Sequence, residues 1–327
     1  MKAQFSKIRH GFTLVELITA MAITSILVLA IMQLTNQGIA LWKVVQQDVS
    51  TAASSRVALQ IMSRDMESFQ MAGGNNKYQW MYAKINSDTS GAPKSLPIPK
   101  SAQCVFFACA PDRNPSVSSS SSLRSNYRDA RAHNMETQGD VNTIGYRLMY
   151  RDQILNLPGR EGDENTFPLF SLYRQVISPR ETYEQLLGKE NMEQAYVPYE
   201  DKEEENFLCE NIVELSIIFT IQYPKGDANA KTGRASYETV TVPVISSRKG
   251  GSGRHLAVYG DRIEANGQTY ENARIQSANL SITVLTEEGV ALAEQVRRGR
   301  RRAPKPADFF ARYTRSFSRL VALPQPL

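Results

Sequence analysis

The chain has 327 residues and a formal net charge of +5, with 42% apolar residues. That length fits one large domain or two small ones, and the apolar share is enough for a real core. So mild a charge does not argue for nucleic acid, and three cysteines with three histidines are too few and scattered for a metal centre. No cofactor is expected.

The first ten residues carry Lys2, Lys7 and Arg9 and no acid. From Phe12 to Leu34 the sequence is FTLVELITAMAITSILVLAIMQL, where Glu16 is the lone charge. As a helix this run spans roughly 34 Å, enough to cross a hydrocarbon core of about 30 Å. Positive charges precede it, so the amino end is expected in the cytoplasm and the rest beyond the inner membrane. A buried soluble helix would not carry so long an apolar run behind basic flanks. A cleaved secretory signal would have a shorter apolar region and a cut after Gly38-Ile39-Ala40.

No proline occurs between Phe12 and Pro93. Past the span, Trp42, Val45, Val49, Ala52, Leu59, Met62, Met66 and Phe69 recur at helical spacing. The pattern predicts one helix of about 60 residues, roughly 90 Å if unbroken, with Gly38 its weak point and a stop at Gly73-Gly74-Asn75-Asn76. Its second half is expected to pack on the chain's own sheet.

Strands are predicted at 104–110, 143–150, 169–177, 212–223, 238–245 and 274–285, from runs of β-branched and aromatic residues. The runs between Ile212 and Leu285 suggest one antiparallel sheet. A short helix is expected at Glu287–Val296. From Ala307 to Leu323, residues Phe309, Phe310, Tyr313, Phe317, Leu320 and Val321 fall on one helical face. The fold class is α+β: a long amino-terminal transmembrane and stalk helix packed on an antiparallel β-sheet domain. Polar, serine-rich 111–139 reads as a surface loop. The acids in Asn156–Thr166 read as a solvated turn, with calcium the sharper reading. Asn279-Leu280-Ser281 fits a glycosylation sequon but sits inside a predicted strand.

Cys104 and Cys109 are an odd number of residues apart in one strand, so they face opposite ways and cannot bridge each other. Cys209 is a candidate partner for either, with three buried thiols as the alternative. The arginine-rich run Arg297–Arg302 reads as a solvated loop, or as a surface for an anionic partner: the acidic face of an adjacent subunit, or DNA. No aromatic residues interleave it to support DNA. An acidic run, Glu200–Glu205, stands in contrast. There is no G-x-S-x-G, phosphate-binding glycine loop or catalytic Cys/His pair.

The run Gly11-Phe12-Thr13-Leu14-Val15-Glu16 resembles the processing motif of type IV prepilins and type II secretion pseudopilins. The resemblance covers residues 1 to about 70. It implies that a prepilin peptidase cuts between Gly11 and Phe12 on the cytoplasmic side and methylates the new amine of Phe12. It also implies a filament subunit, not an enzyme, whose partners are other pilin-like subunits. The segments Val57–Met71 and Tyr313–Pro324 resemble the J-type minor pseudopilins, and Leu34–Trp42 resembles the Verru_Chthon cassette prepilin-like proteins. The implied plan is a leader at 1–11, a span at 12–34, a stalk at 35–72 and an exported domain at 73–327. Glu16 has two readings: snorkelling to the headgroups, or pairing with the Phe12 amine of a neighbouring subunit. A single-pass envelope protein that displays a binding domain and never polymerises is the alternative to the filament subunit.

Overall fold

The computed structural model describes residues 13–74, 77–86, 92–109, 141–152, 154–155, 157–159, 165–197, 207–225, 236–245 and 254–324. It divides into two units, Met1–Ser50 and Thr51–Leu327. Helix α1 runs from Leu14 to Glu67 as one element and passes through Gly38 without interruption.

In the first unit, every described side chain from Thr13 to Lys43 is exposed. The stretch Leu14–Lys43 is long and apolar enough to cross a membrane. Its hydroxyls do not offend such a setting. Thr19, Thr24, Ser25 and Thr35 each donate to the carbonyl four residues back, at 2.7–3.0 Å. Each of these hydroxyl hydrogens is thus satisfied within the helix, as a bilayer requires.

In the second unit two antiparallel sheets share one core. The larger has nine strands: β1 (Gln79–Asn86), β2 (Ser101–Cys109), β3 (Val141–Asp152), β4 (Leu157–Pro158), β5 (Pro168–Ile177), β6 (Phe207–Glu210), β9 (His255–Tyr259), β10 (Arg262–Ala265) and β11 (Gln268–Glu271). Its order is β11-β10-β9-β1-β2-β3-β5-β6, with β4 beside β3. The smaller holds β7 (Ile212–Pro224), β8 (Tyr237–Val244), β12 (Arg274–Leu285) and β13 (Thr314–Ala322), in the order β13-β12-β7-β8. Between β12 and β13 lie helices α2 (Glu287–Arg297) and α3 (Pro306–Tyr313).

The last turns of α1 supply Ala58, Leu59, Met62 and Met66 to the core shared by both sheets. They join Cys104 and Phe106 of β2 and Leu215, Ile217 and Phe219 of β7. The stripe at helical spacing therefore packs on the chain's own strands, as its periodicity predicts. Strand β2 is buried on both faces. Ala102, Cys104, Phe106 and Ala108 face the main core, while Val105 and Phe107 enter a second cluster with Tyr82, Met192 and Tyr196. This double burial explains why CVFFACA reads as a continuous apolar run.

Two sequence expectations need correction. First, α1 stops at Glu67, short of the glycine pair. The chain then lies along β2: Gln70 N–H donates to the Phe107 carbonyl and Cys109 N–H to the Ser68 carbonyl, both at 2.9 Å. Second, 307–323 is not one helix. It is α3 followed by β13, which pairs with β12 from Thr314↔Leu285 to Ala322↔Ser277. A full ladder of sheet hydrogen bonds outweighs the helical spacing of Phe317, Leu320 and Val321. The three runs predicted between Ile212 and Leu285 do form one antiparallel sheet, as β12-β7-β8, while β9, β10 and β11, which lie between them in the chain, join β1 in the larger sheet. Strands β1 and β9–β11 were not predicted, although the β10–β11 pair carried a readable signal. Asn266-Gly267 joins β10 to β11 with φ of 53° and 81°, the left-handed pair that a tight hairpin demands.

Gly145 on β3 is required by contact. A Cβ there would lie 2.3 Å from Tyr196 Oη, which donates to Gln175 Oε1 at 2.6 Å. Gly145→Ala should destabilise the protein by about 1–3 kcal/mol, because that buried phenol must move off its acceptor. Denaturant unfolding checks it. A second variant, Gly145→Ala with Tyr196→Phe, should recover part of the loss, and no recovery would locate the strain elsewhere.

Burial also sets an alkaline limit. It raises the pKa of Cys104, and raises Cys209 from 9.0 to about 11 with the Glu210 carboxylate adding to the effect. Tyr82, Tyr146 and Tyr196 are raised by burial above all. The unfolded chain therefore loses these protons at lower pH than the folded one. Their contribution is fully present below the ordinary thiol value and falls away as pH rises through about 9 to 11. We expect the melting temperature to drop across that window, and Cys209→Ala to delay the first part of the drop. A flat profile from pH 8 to 11 would contradict this.

Candidate assembly site

Thr13 and Glu16 form a reciprocal cap at the start of α1. Thr13 N–H donates to Glu16 Oε2 at 2.9 Å, and Glu16 N–H donates to Thr13 Oγ1 at 3.3 Å. The Thr13 hydroxyl also donates to the same carboxylate oxygen at 3.0 Å. This is a capping box, in which two backbone donors otherwise unpaired at a helix start are satisfied by side chains. The T-x-x-E spacing of Thr13-Leu14-Val15-Glu16 was the signal for it in the sequence. The box fixes the carboxylate at the helix N-terminus, where the helix dipole favours negative charge. It is also exposed there, open to a partner from outside the chain. Gly11 and Phe12 lie outside the described residues.

A buried polar cluster holds the other end of α1. Asp65, whose side chain is 0% exposed, receives Arg174 Nε at 2.5 Å and Arg174 Nη2 at 3.1 Å. The Tyr146 hydroxyl donates to the same carboxylate. Asp65 comes from α1, Tyr146 from β3 and Arg174 from β5. The cluster therefore registers the end of the helix on the large sheet. Nothing local in the sequence pairs these residues, which are far apart along the chain.

The cysteines do not bridge. Cys104, Cys109 and Cys209 are all free thiols, and Cys104 and Cys209 are buried. The candidate pairing of Cys209 with Cys104 or Cys109 fails on topology. Cys209 is on β6 and the other two are on β2, with β3 and β5 between them. Three strand spacings of about 4.8 Å put their Cα atoms some 14 Å apart, against a limit of about 7 Å for a disulfide.

The arginine run is only partly a solvated loop. Arg297 is fully buried at the end of α2, where its guanidinium bonds both carboxylate oxygens of Glu294 at 2.7 Å and the Thr166 carbonyl at 2.9 Å. Arg298 takes Glu294 as well, at 2.5 Å. These two arginines hold the pKa of Glu294 below its ordinary value, Arg297 most strongly. Arg300, Arg301 and Arg302 are exposed. The acidic run 200–205, the loop 111–139 and the acids of the 156–166 segment, Glu161, Asp163 and Glu164, lie outside the described residues.

Residues 6–32 match the prokaryotic N-terminal methylation motif. The matched segment contains Gly11, Phe12, the Thr13–Glu16 box and most of the apolar stretch. The amino terminus is thus prepilin-like, and the motif continues directly into a helix able to cross a membrane. No curated relative matches the chain. A type IV-like pilin from Thermus thermophilus aligns over 84% of this chain and 96% of its own, at 9% identity and a TM-score of 0.33. At that score the α+β assignment rests on the chain's own helix and strand pairing, not on the likeness.

Proposed function

We propose that the chain is a minor pilin or pseudopilin-like subunit, processed by prepilin peptidase and assembled through its amino-terminal helix into a type IV pilus or type II secretion-type filament. One observation carries the reading: the methylation motif at 6–32 runs straight into an exposed apolar helix with a capped carboxylate at its start. In a bilayer that exposed helix face must meet lipid or other helices. The chain's size supports a minor, tip or initiating role over the bulk polymer, because a large exported domain is hard to repeat along a filament. The J-type and Verru_Chthon resemblances belong to this proposal. The positive leader supports a cytoplasmic amino end, with the exported domain beyond the inner membrane.

Mass spectrometry of the mature amino terminus tests the reading. The expected result is a chain beginning at Phe12 and carrying one added methyl group. Gly11→Val should leave an uncut, membrane-bound precursor, since a β-branched side chain obstructs the scissile position. A terminus at Leu41, or normal processing of the variant, would overturn the assignment.

A further inference from the structure

Away from the helix, a cleft of about 480 Å³ opens where the turns of the two sheets meet the exit of α1. Its size falls within the about 300–1,000 Å³ usual for small-ligand sites. One wall is the segment Met71–Gly74. Gly74 sits at φ 102°, and a Cβ built there would meet nothing within 4 Å, so this wall is backbone beside open space. The opposite walls are Tyr237 at the start of β8, the Gly260-Asp261 turn, and the stretch from Glu271 to Arg274.

The walls are joined by backbone contacts and are chemically mixed. Asn272 takes φ 51°, and its N–H donates to the Asp261 carbonyl at 2.6 Å, which ties the two turns together. Arg274 lies over the Tyr237 ring, 5.3 Å from its centre. Tyr237 is nonetheless 46% exposed. Asp261 pairs with Arg262 at 3.2 Å. The cleft therefore presents an aromatic face, a guanidinium, carboxylates and turn backbone within one small volume.

Those features select a kind of ligand. Asp261 is paired with Arg262, and the cleft is lined by charges of both signs, Asp261 and Glu271 with Arg274, so it does not present a field of one sign for an ion. A molecule with many hydroxyls fits better. Each hydroxyl both donates and accepts, so Asp261 and Glu271 can take hydrogens while Arg274 gives them. The C–H face of a sugar ring packs on an exposed aromatic ring, which supplies the apolar contact. We propose that this cleft binds a neutral saccharide chain. The site gives the exported domain a ligand of its own, and it does not depend on the filament reading.

Saturation-transfer NMR on the full-length protein tests this, in micelles of a detergent without a sugar headgroup. The probes are neutral gluco-, galacto- and N-acetylglucosamine oligosaccharides. We expect transfer to the ring C–H protons of at least one series. Tyr237→Ala should weaken that binding about tenfold. Glu271→Ala, an exposed hairpin change, should weaken it several-fold with the circular dichroism spectrum unchanged. No transfer to any series would overturn the proposal, as would equal transfer in wild type and both variants. Mature-terminus analysis of the same preparation reports separately on the filament reading.

Discussion

Asp65→Ala should lower the unfolding free energy of the full-length protein by about 3–5 kcal/mol. The carboxylate is completely buried and neutralises Arg174, whose side chain is itself only 16% exposed. Removing it leaves a guanidinium with two donors aimed at nothing and a Tyr146 hydroxyl without its acceptor. An uncompensated buried charge costs far more than the pair contributes over an apolar replacement. Asp65→Leu combined with Arg174→Met should therefore be less harmful than Asp65→Ala alone. Urea unfolding in micelles, followed by fluorescence of Trp80 on β1, measures both. A loss under about 1 kcal/mol for the single variant would mean that water reaches Arg174. The end of α1 would then be registered on the sheet by packing at Met62 and Met66 instead.

The second large effect is expected at Glu16, where the structure separates two roles that a single substitution would confuse. The carboxylate caps its own helix, and in our proposal it also pairs with the methylated amine of a neighbouring subunit. Glu16→Leu removes both. Glu16→Gln keeps a side chain able to complete the capping box but removes the charge. If capping is its whole task, Glu16→Gln should behave as wild type and Glu16→Leu should fray the first turn, a change of about 1 kcal/mol. If charge pairing registers subunits, both variants should be cleaved and inserted normally yet lose recovery of other pilin-like subunits from cross-linked membranes. An unpaired carboxylate in lipid is penalised until it meets its cation, so partner recovery should be the most sensitive readout. Normal recovery with both variants would favour the single-pass display protein.

Much of the architecture was legible because it is written in local periodicity. The apolar run from Phe12 and the stripe through Leu59, Met62 and Met66 define α1, whatever they later touch. Strand β12 was predicted over its observed range, and β3, β5, β7 and β8 within two residues at either end, because each alternates or runs apolar on its own. The capping box and the Asn266-Gly267 hairpin were also present as short motifs.

Other features depended on which distant segments meet. Whether Phe317 and Val321 sit on a helix or a strand was decided by the free edge of β12, not by their spacing. Arg297 looks like any other residue of a basic run, but the fold of α2 brings Glu294 and the Thr166 carbonyl to it and buries it. Cys209 was a plausible partner for Cys104 until β3 and β5 came between their strands. Asp65, one charge on the stripe-bearing helix, became a buried anchor only when β3 and β5 delivered Tyr146 and Arg174. Sequence alone determined the helix, the longer core strands β2, β3, β5, β7, β8 and β12, and the membrane-directed amino terminus, since each follows from neighbours in the chain. Tertiary structure decided sheet membership, the fate of each charge and the state of each thiol, because those energies belong to pairs that no local window contains.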